Sequence, residues 1–245
     1  MKNKLLALTA ILLLLSTASV SAQNKWKYDF SIGGTYNSGN INNIGLRNTG
    51  SVSRNDSILS MDASYRYLYT EEKREMTNQE LGGGAKIDLY QYSRWSPFLA
   101  TDFVVNHFKG YDFKISFLAG AKYRIFTLPG KCDYSLSAAI VEDYVNYHIT
   151  SPSADTLDGF VARASLRAKI KQRIGESTHI NHTTFYQPSV MDLGDYIVSS
   201  VTKIENKLNK HLFFDIIFSY EYRSIVPEGR KRTDIATELA LRLAF

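Results

Sequence analysis

The sequence predicts an all-β protein: a transmembrane, antiparallel, up-and-down β-barrel of about twelve strands. Three observations lead there. Segments in which apolar and polar residues alternate recur at intervals of about 18 residues, the length of a roughly 9–11-residue membrane strand plus its connection. In the well-patterned segments the charged residues fall on the polar face and none is expected on the apolar one. Alternation alone would suit a soluble sandwich too. However, the apolar face is too abundant to be enclosed by a small barrel and suits the outside of one set in lipid. Finally, the aromatic residues gather at strand ends. Trp26, Trp95, Tyr123 and Tyr134 fall at one end, and Tyr36, Tyr67, Tyr69, Tyr186, Tyr196, Tyr220 and Tyr222 at the other. Such rings are wet on one side and apolar on the other, which places them at the two bilayer interfaces.

The chain of 245 residues opens on a segment of a different kind. Lys2 and Lys4 precede a short apolar run from Leu5 to Leu15, and Val20-Ser21-Ala22 supplies small residues before a cut. Residues 1–22 are therefore read as a secretory signal peptide, too short in its apolar run to span a bilayer as a helix. Residues 23–245 are read as one barrel, exported and set in the cell outer membrane. The formal net charge is +5, two of it from Lys2 and Lys4, so the excess is no argument for nucleic acid as a partner. Cys132 is the single cysteine, which excludes an intramolecular disulfide and a cysteine-based metal cluster.

The strands follow in order. The first, Trp26 to Tyr36, puts Trp26, Tyr28, Phe30, Ile32, Gly34 and Tyr36 on one face, and Ser38-Gly39-Asn40 turns the chain. The second, about Asn43 to Ser53, is weak, because Ile44, Leu46 and Val52 share a face with Asn48 and Gly50. The third shows Leu59, Met61, Ala63, Tyr65, Tyr67 and Tyr69, the fourth Leu81 to Leu89, and the fifth Trp95 to Val105. The sixth runs Phe113, Ile115, Phe117, Ala119, Ala121, Tyr123 and Ile125. The seventh carries Cys132 to Ile140 against Asp133 and Asp143, and the eighth Phe160 to Ile170 against Arg163, Arg167, Lys169 and Lys171. The ninth, His179 to Tyr186, and the tenth, Tyr196 to Leu208, alternate poorly. The eleventh, Leu212 to Tyr222, backed by Asp215, Glu221 and Arg223, and the last, ending at Phe245, alternate cleanly.

Connections near Asp56, Ser93, Pro129, Glu176 and Asn209 are short, and those near Glu72, Lys109, Ser151, Met191 and Glu228 are mostly longer, the asymmetry of a barrel with periplasmic turns and outside loops. The terminal strand, with Leu241, Leu243 and Phe245 on its apolar face, resembles the C-terminal strand that the barrel-assembly machinery of bacterial outer membranes reads as a sorting signal. The run Phe30-Ser31-Ile32-Gly33-Gly34-Thr35-Tyr36-Asn37-Ser38-Gly39-Asn40, with the Phe245 ending, resembles a family of outer-membrane barrels of unknown function of the salt-induced outer membrane protein type. That resemblance implies an outer-membrane protein and no reaction.

The expected chemistry lies inside. Arg163, Arg167, Lys169 and Lys171 form a one-sign column on the eighth strand, and a basic column favours anions. Asp133, Asp143, Asp215 and Glu221 are the expected acidic partners, with Asp133 and Asp143 placed to neutralise part of the column. The leading expectation is a structural barrel or narrow small-solute channel with a charge-paired lumen. The alternative is a lipid-modifying enzyme of phospholipase or deacylase type. It rests on His182 and Thr184, two apart and so on one face, where an imidazole could activate a hydroxyl. Threonine stands where such sites use serine, and no orienting group is evident. His179 and His182 fall on opposite faces and make a poor metal pair. No metal or other cofactor is called for. The expected partners are outer-membrane lipid and the assembly machinery, around a monomer.

Overall fold

The computed structural model describes residues 26–38, 43–72, 75–106, 111–147, 159–226 and 231–245. The signal peptide expected over residues 1–22, the Gly39-Asn40 turn and most of the loop around Ser151 lie outside the described residues. Twelve strands form: β1 (Trp26–Ser38), β2 (Asn43–Asn55), β3 (Leu59–Glu72), β4 (Glu75–Leu89), β5 (Trp95–Asn106), β6 (Tyr111–Leu128), β7 (Cys132–Tyr147), β8 (Gly159–Ile174), β9 (Thr178–Pro188), β10 (Tyr196–Lys207), β11 (Leu212–Arg223) and β12 (Thr233–Ala244). Each pairs antiparallel with its chain neighbours, and β12 returns to β1, so the sheet is a closed barrel with no free edge.

Burial runs inside out. The large residues left exposed are apolar and sit on the outer wall, among them Ile32, Leu46, Leu99, Phe117, Ile140, Leu166, Phe218 and Leu239. The buried residues on the inner wall are mostly small or polar: Ser31, Thr35, Thr70, Ser96, Asn106, Ser135, Ser137, Ser165 and Asp215. A water-soluble barrel needs the reverse arrangement, because removing apolar surface from water is what drives it to fold. The alternation therefore resolves to a barrel that faces lipid outward and packs polar groups inward.

Closure depends on small residues at the β1–β12 joint. Gly33 faces inward opposite Ala240, and a Cβ there would stand 2.6 Å from the Leu239 carbonyl oxygen and 2.7 Å from the Ala240 Cβ. The Arg47–Glu238 ion pair, at 3.3 Å, bridges β2 to β12 across β1. Beyond β12, Phe245 continues the pairing: its amide donates to the Tyr28 carbonyl at 2.9 Å, and it accepts from the Tyr28 amide at 3.0 Å. Its ring stacks on His211 with centroids 5.1 Å apart. At this end of the barrel Trp95 meets Tyr123 at 4.7 Å and Phe126 meets Tyr134 at 6.2 Å. At the other end, Phe113 meets Tyr144, and Tyr196 lies between Tyr186 and Tyr222. The turn after β6 uses Gly130 at φ +73°, the left-handed conformation glycine adopts without penalty.

One expectation is extended and one corrected. The sixth strand leaves Ile125 exposed, and a bulge between Arg124 and Phe126 inserts one residue, so Phe126 and Leu128 also take outward positions beside Tyr134 and Cys132. The apolar wall is also not free of charge. Glu142 pairs across to Phe117 and Ala162, on the outer side of β7, and is exposed there. It follows from parity, because Asp143 beside it points inward onto Lys114. Tyr144 is the next outward residue, in ring contact with Phe113, so the carboxylate lies near an interface rather than at mid-bilayer.

Gly33→Leu is expected to block the β1–β12 joint, since overpacking a close contact costs about 1–3 kcal/mol or more. Gly34→Ala has only the Gly45 carbonyl oxygen at 3.9 Å as a neighbour and is expected to fold normally. The readout is the fraction of refolded protein that migrates anomalously on an unboiled gel, and equal fractions for the two variants would contradict this account of closure.

Candidate functional site: the charged lumen

The inner wall holds its charges in separate groups, each built by neighbouring strands. The largest centres on Arg242 of β12. Its Nε donates to Asp215 Oδ2 at 2.8 Å, Nη1 to Asp29 Oδ1 at 2.7 Å and Nη2 to Glu205 Oε1 at 3.0 Å. Lys203 Nζ bridges Glu205 and Asp215, at 2.8 Å to each. The Asn181 amide donates to the other oxygen of Glu205 at 2.8 Å. The guanidinium lies 4.4 Å from the Phe213 ring centroid. One side chain thus ties β12 to β1, β11 and β10, and through Glu205 to β9. Planar, five-donor arginine holds the three carboxylates in a fixed fork, a geometry that a lysine ammonium does not reproduce.

A second group sits on β3, β4 and β5. Arg66 makes a two-pronged contact with Asp102, at 2.8 and 2.9 Å, and its Nε is 3.5 Å from Glu80. Gly82, on the strand between them, leaves room: a Cβ there would stand 2.7 Å from the Arg66 guanidinium carbon. Asn106, fully buried, donates to Asn78 and Glu80, each at 3.0 Å.

The expected basic column of β8 divides. Arg163 is drawn to the loop after β9, where Nη2 meets Asp195 at 2.6 Å. Arg167 donates to Ser137 at 2.8 Å and crosses the lumen, with its guanidinium 5.7 Å from the Phe98 ring of β5 and 5.9 Å from the Phe185 ring of β9. Lys86 covers Phe98 as well, 4.9 Å from the ring centroid, and is bonded to Asp88 at 2.6 Å. Lys122 shares Asp88 at 3.7 Å. Lys169 lies within electrostatic reach of Lys171, Arg167, Lys86 and Lys122, and of the Asp62 carboxylate across the lumen. Among the described residues neither Arg167, Lys169 nor Lys171 forms an ion pair.

This corrects the expected pairing. Asp133 and Asp143 do not neutralise the column. Asp133 stands opposite Lys171 in register but accepts from Thr127 at 2.8 Å and faces Arg124 at 3.4 Å, on the β6 side. Asp143 goes to Lys114 at 2.7 Å and accepts from Ser116. Asp215 belongs to the Arg242 group, and Glu221 pairs with Arg223 at the exposed rim. Each finds its cations on its own strand or on an adjoining strand other than β8. Phe98 and Phe185 were missed because an aromatic residue on a polar face carries no alternation signal; their meaning lies in what crosses the lumen to meet them.

Below this constriction, toward the short turns, a cavity of about 600 Å³ opens between the 129–133 turn and strands β8 to β10. Its charged lining is Lys131, Lys169, Lys171, Arg173 and Lys203 against Asp133 and Glu205, and both carboxylates are already paired. The space is basic and open at one end of the barrel.

His182 and Thr184 lie elsewhere. They stand opposite Ile170 and Ala168 of β8, on the outer wall. The imidazole is held by Thr202 at Nδ1 and by Thr184 at Nε2, both at 2.9 Å, and Thr184 meets Ser200 at 3.2 Å. A hydroxyl, not a carboxylate, sits where an acyl-transfer site would orient its histidine. The surrounding backbone N–H groups belong to the barrel ladder, so none is left to receive an oxyanion.

The family model described as "Protein of unknown function, DUF481" matches residues 30–245. No curated protein sequence matches the chain. Among solved structures, the NanC porin superposes with a TM-score of 0.60 at 8% identity, over 87% of this chain and 98% of that one. The translocator domain of the autotransporter NalP from Neisseria meningitidis gives 0.55 at 9% identity, over 98% and 95%. The KdgM porin in complex with disordered oligogalacturonate gives 0.52 at 10% identity, over 88% and 99%. At these identities the likeness is one of fold, and the fold is that of an outer-membrane β-barrel.

Arg242→Met leaves Glu205 and the fully buried Asp215 with Lys203 alone and removes the ion pair of Asp29. It is expected to lower unfolding stability by roughly 3–5 kcal/mol, the cost of stranding a buried charge. Adding Asp215→Asn is expected to restore part of the loss. Urea titration of the folded barrel in lipid vesicles, followed by tryptophan fluorescence, measures both, and an unmoved midpoint in the single variant would remove Arg242 from its central place.

Proposed function

This chain belongs to the DUF481 family of proteins of unknown function, and we propose that it serves in the bacterial outer membrane as a narrow channel that favours small anions. The observation that carries this reading is the run Arg167, Lys169 and Lys171, which faces the lumen with no carboxylate partner among the described residues. Most other charges inside the barrel are matched, the lumen-facing Asp62 apart, and matched pairs neither attract nor repel a passing ion strongly. The unmatched run concentrates anions where low-dielectric walls focus its field. Arg167, reaching Phe98 across the lumen, narrows the path at the same level. An anion entering from the basic cavity exchanges water for lysine ammonium groups and then passes the guanidinium, a step that excludes cations of similar size.

The KdgM porin structure holds oligogalacturonate, a carboxylate-bearing sugar chain, in a barrel of this fold, which fits the reading without choosing a solute. The resemblance of the Phe30–Asn40 run to the salt-induced outer membrane proteins belongs to the same proposal, because ionic strength screens the exposed charges of such a lumen. Insertion would use the β12 residues Leu241 and Leu243 and the terminal Phe245, presented outward to the assembly machinery and to lipid.

Refolded protein in a planar bilayer under a KCl gradient is expected to give discrete steps with an anion-biased reversal potential. Lys169→Glu with Lys171→Glu is expected to abolish or invert the bias, and Arg167→Ala to raise the step size. A folded wild-type barrel that gives no steps, or a cation-biased potential, overturns the proposal.

A further inference from the structure

The cavity at the short-turn end of the lumen has the make-up of a ligand site. Its volume, about 600 Å³, falls within the roughly 300–1,000 Å³ of small-molecule pockets. On β8 the inward residues Lys169, Lys171 and Arg173 stand opposite Thr183, Asn181 and His179 of β9. Strand β10 continues the rows with Lys203 beside Asn181 and Glu205 beside His179. Lys131, on the turn between β6 and β7, closes the side against β8, where its carbonyl accepts from the Arg173 amide at 2.7 Å.

The charges around this space do not cancel. Five cations line it against two carboxylates, an excess of three. Both carboxylates are held already, Asp133 by Thr127 and Arg124, Glu205 by Lys203, Arg242 and Asn181. Asp62, the carboxylate across the lumen within reach of Lys169, is no part of the lining. Among the described residues the side chains of Lys131, Lys169 and Lys171 make no ion pair or hydrogen bond, nor do the Thr183 hydroxyl and the His179 imidazole. The unused groups are therefore mostly donors, three of them ammonium groups. A solute that completes them is rich in acceptors and carries more than one negative charge.

The kind of cation selects the kind of anion. A carboxylate is planar and is best held by the planar fork of arginine. The arginine in the lining, Arg173, gives Nε to the Gly175 carbonyl and Nη2 to the Glu176 carbonyl, each at 3.0 Å, so its fork is spent on the turn. What remains is lysine, a compact charge with three donors on a flexible stem, able to meet the oxygens of a phosphoryl group from several sides. Lys169 and Lys171 are about 6.6 Å apart along β8 at roughly 3.3 Å per residue, a gap that two four-carbon stems close around one group. Thr183, opposite Lys169, adds an O–H at the same level. A phosphoryl group carries about −1.5 to −2 charge near neutral pH and three acceptor oxygens, which matches the excess. Val201, opposite Thr183, gives the same space an apolar side for a carbon skeleton.

We propose that this cavity is a binding site for a phosphoryl-bearing solute, free phosphate or the phosphate monoester of a small organic molecule, held by Lys131, Lys169 and Lys171 with Thr183. This deepens the channel reading by naming the class of solute, and it rests on that reading for passage across the membrane. The binding step itself needs no conductance.

The test uses the full barrel folded in a non-ionic detergent, near neutral pH and in about 0.15 M NaCl, so that diffuse attraction is screened. Isothermal titration calorimetry with inorganic phosphate and with glycerol 3-phosphate is expected to show saturable binding at one site per barrel. Succinate, a dicarboxylate of similar charge, is expected to bind roughly tenfold more weakly. Tighter binding of glycerol 3-phosphate than of inorganic phosphate assigns the site to an organic monoester, and the reverse order assigns it to free phosphate. Lys169→Gln with Lys171→Gln is expected to weaken phosphate binding roughly a hundredfold. Lys131→Gln, on an exposed turn, is expected to weaken it roughly fivefold and keeps the test available should the double variant fold poorly, with unboiled-gel migration reporting folding. Arg223→Gln removes a positive charge at the opposite rim and is expected to leave binding unchanged. No saturable phosphate binding, succinate bound as tightly as phosphate, or unchanged affinity in the folded lysine variants overturns the proposal. Anion-biased conductance without phosphate binding overturns this site and leaves the channel reading standing. Phosphate binding without conductance keeps the site and overturns the channel.

Discussion

The structure depends on one constraint: hydrocarbon gives a backbone N–H or C=O no partner. A sheet in lipid must therefore close on itself, and the joint between β1 and β12 is where that requirement is met. Several features of the sequence serve that joint. Gly33 and Ala240 are small where the strands come closest. Arg47 and Glu238 strap β2 to β12 across β1, and Arg242 reaches Asp29 from β12. Phe245 extends the ladder one residue past the last strand. The first and last strands of the chain are thus joined through contacts whose partners lie roughly two hundred residues apart in sequence.

Closure inverts the usual logic of a core. Apolar burial from water holds a soluble barrel, but here the apolar wall faces a solvent as apolar as itself. The inner face then has to cohere through polar contacts, and each charge inside must find a partner or water. Arg242, Lys203 and their three carboxylates do this on one side of the lumen, and Arg66, Asp102, Glu80 and Asn106 on another. Against that background Arg167, Lys169 and Lys171 stand out as a run of like charges with no ion pair among the described residues. A stretch that does not contribute matched pairs to the wall is the stretch from which a functional role is argued.

How much of this was legible in the sequence follows from the range of each interaction. Side-chain parity is a local property, so β1, β3, β8, β11 and β12 could be read with their faces assigned, and twelve strands with them. Glu142 is legible too, by parity from Asp143, although it lies beyond the Cys132–Ile140 alternation of β7. The bulge at Arg124 and Phe126 leaves two adjacent apolar residues, Ile125 and Phe126, and either could continue the alternation. Partner choice was not legible. Asp133 has Lys171 opposite it and still turns toward Arg124 and Thr127, because two donors converge there. Arg167 meets Phe98 only because the barrel curves β5 round to face β8, and nothing within either strand records that curvature.

The strands that alternate poorly differ in what covers their polar outward residues. On β2, Asn48 accepts from the Tyr65 hydroxyl at 2.9 Å and donates to the Ser31 carbonyl at 3.1 Å. The Tyr65 ring also lies over Gly50, so one aromatic side chain from β3 seals the weak place within the same copy. On β9 and β10 no aromatic ring from a neighbouring strand takes up the hydroxyls, which are bonded to one another and to His182 instead. Both departures look alike as a lapse of period two. The first is closed by its own barrel, with the amide's donor and acceptor each given a partner. The second is closed by hydroxyls and an imidazole bonded to one another along β9 and β10. A break in alternation is therefore read by the partners that the neighbouring strands supply to its polar groups.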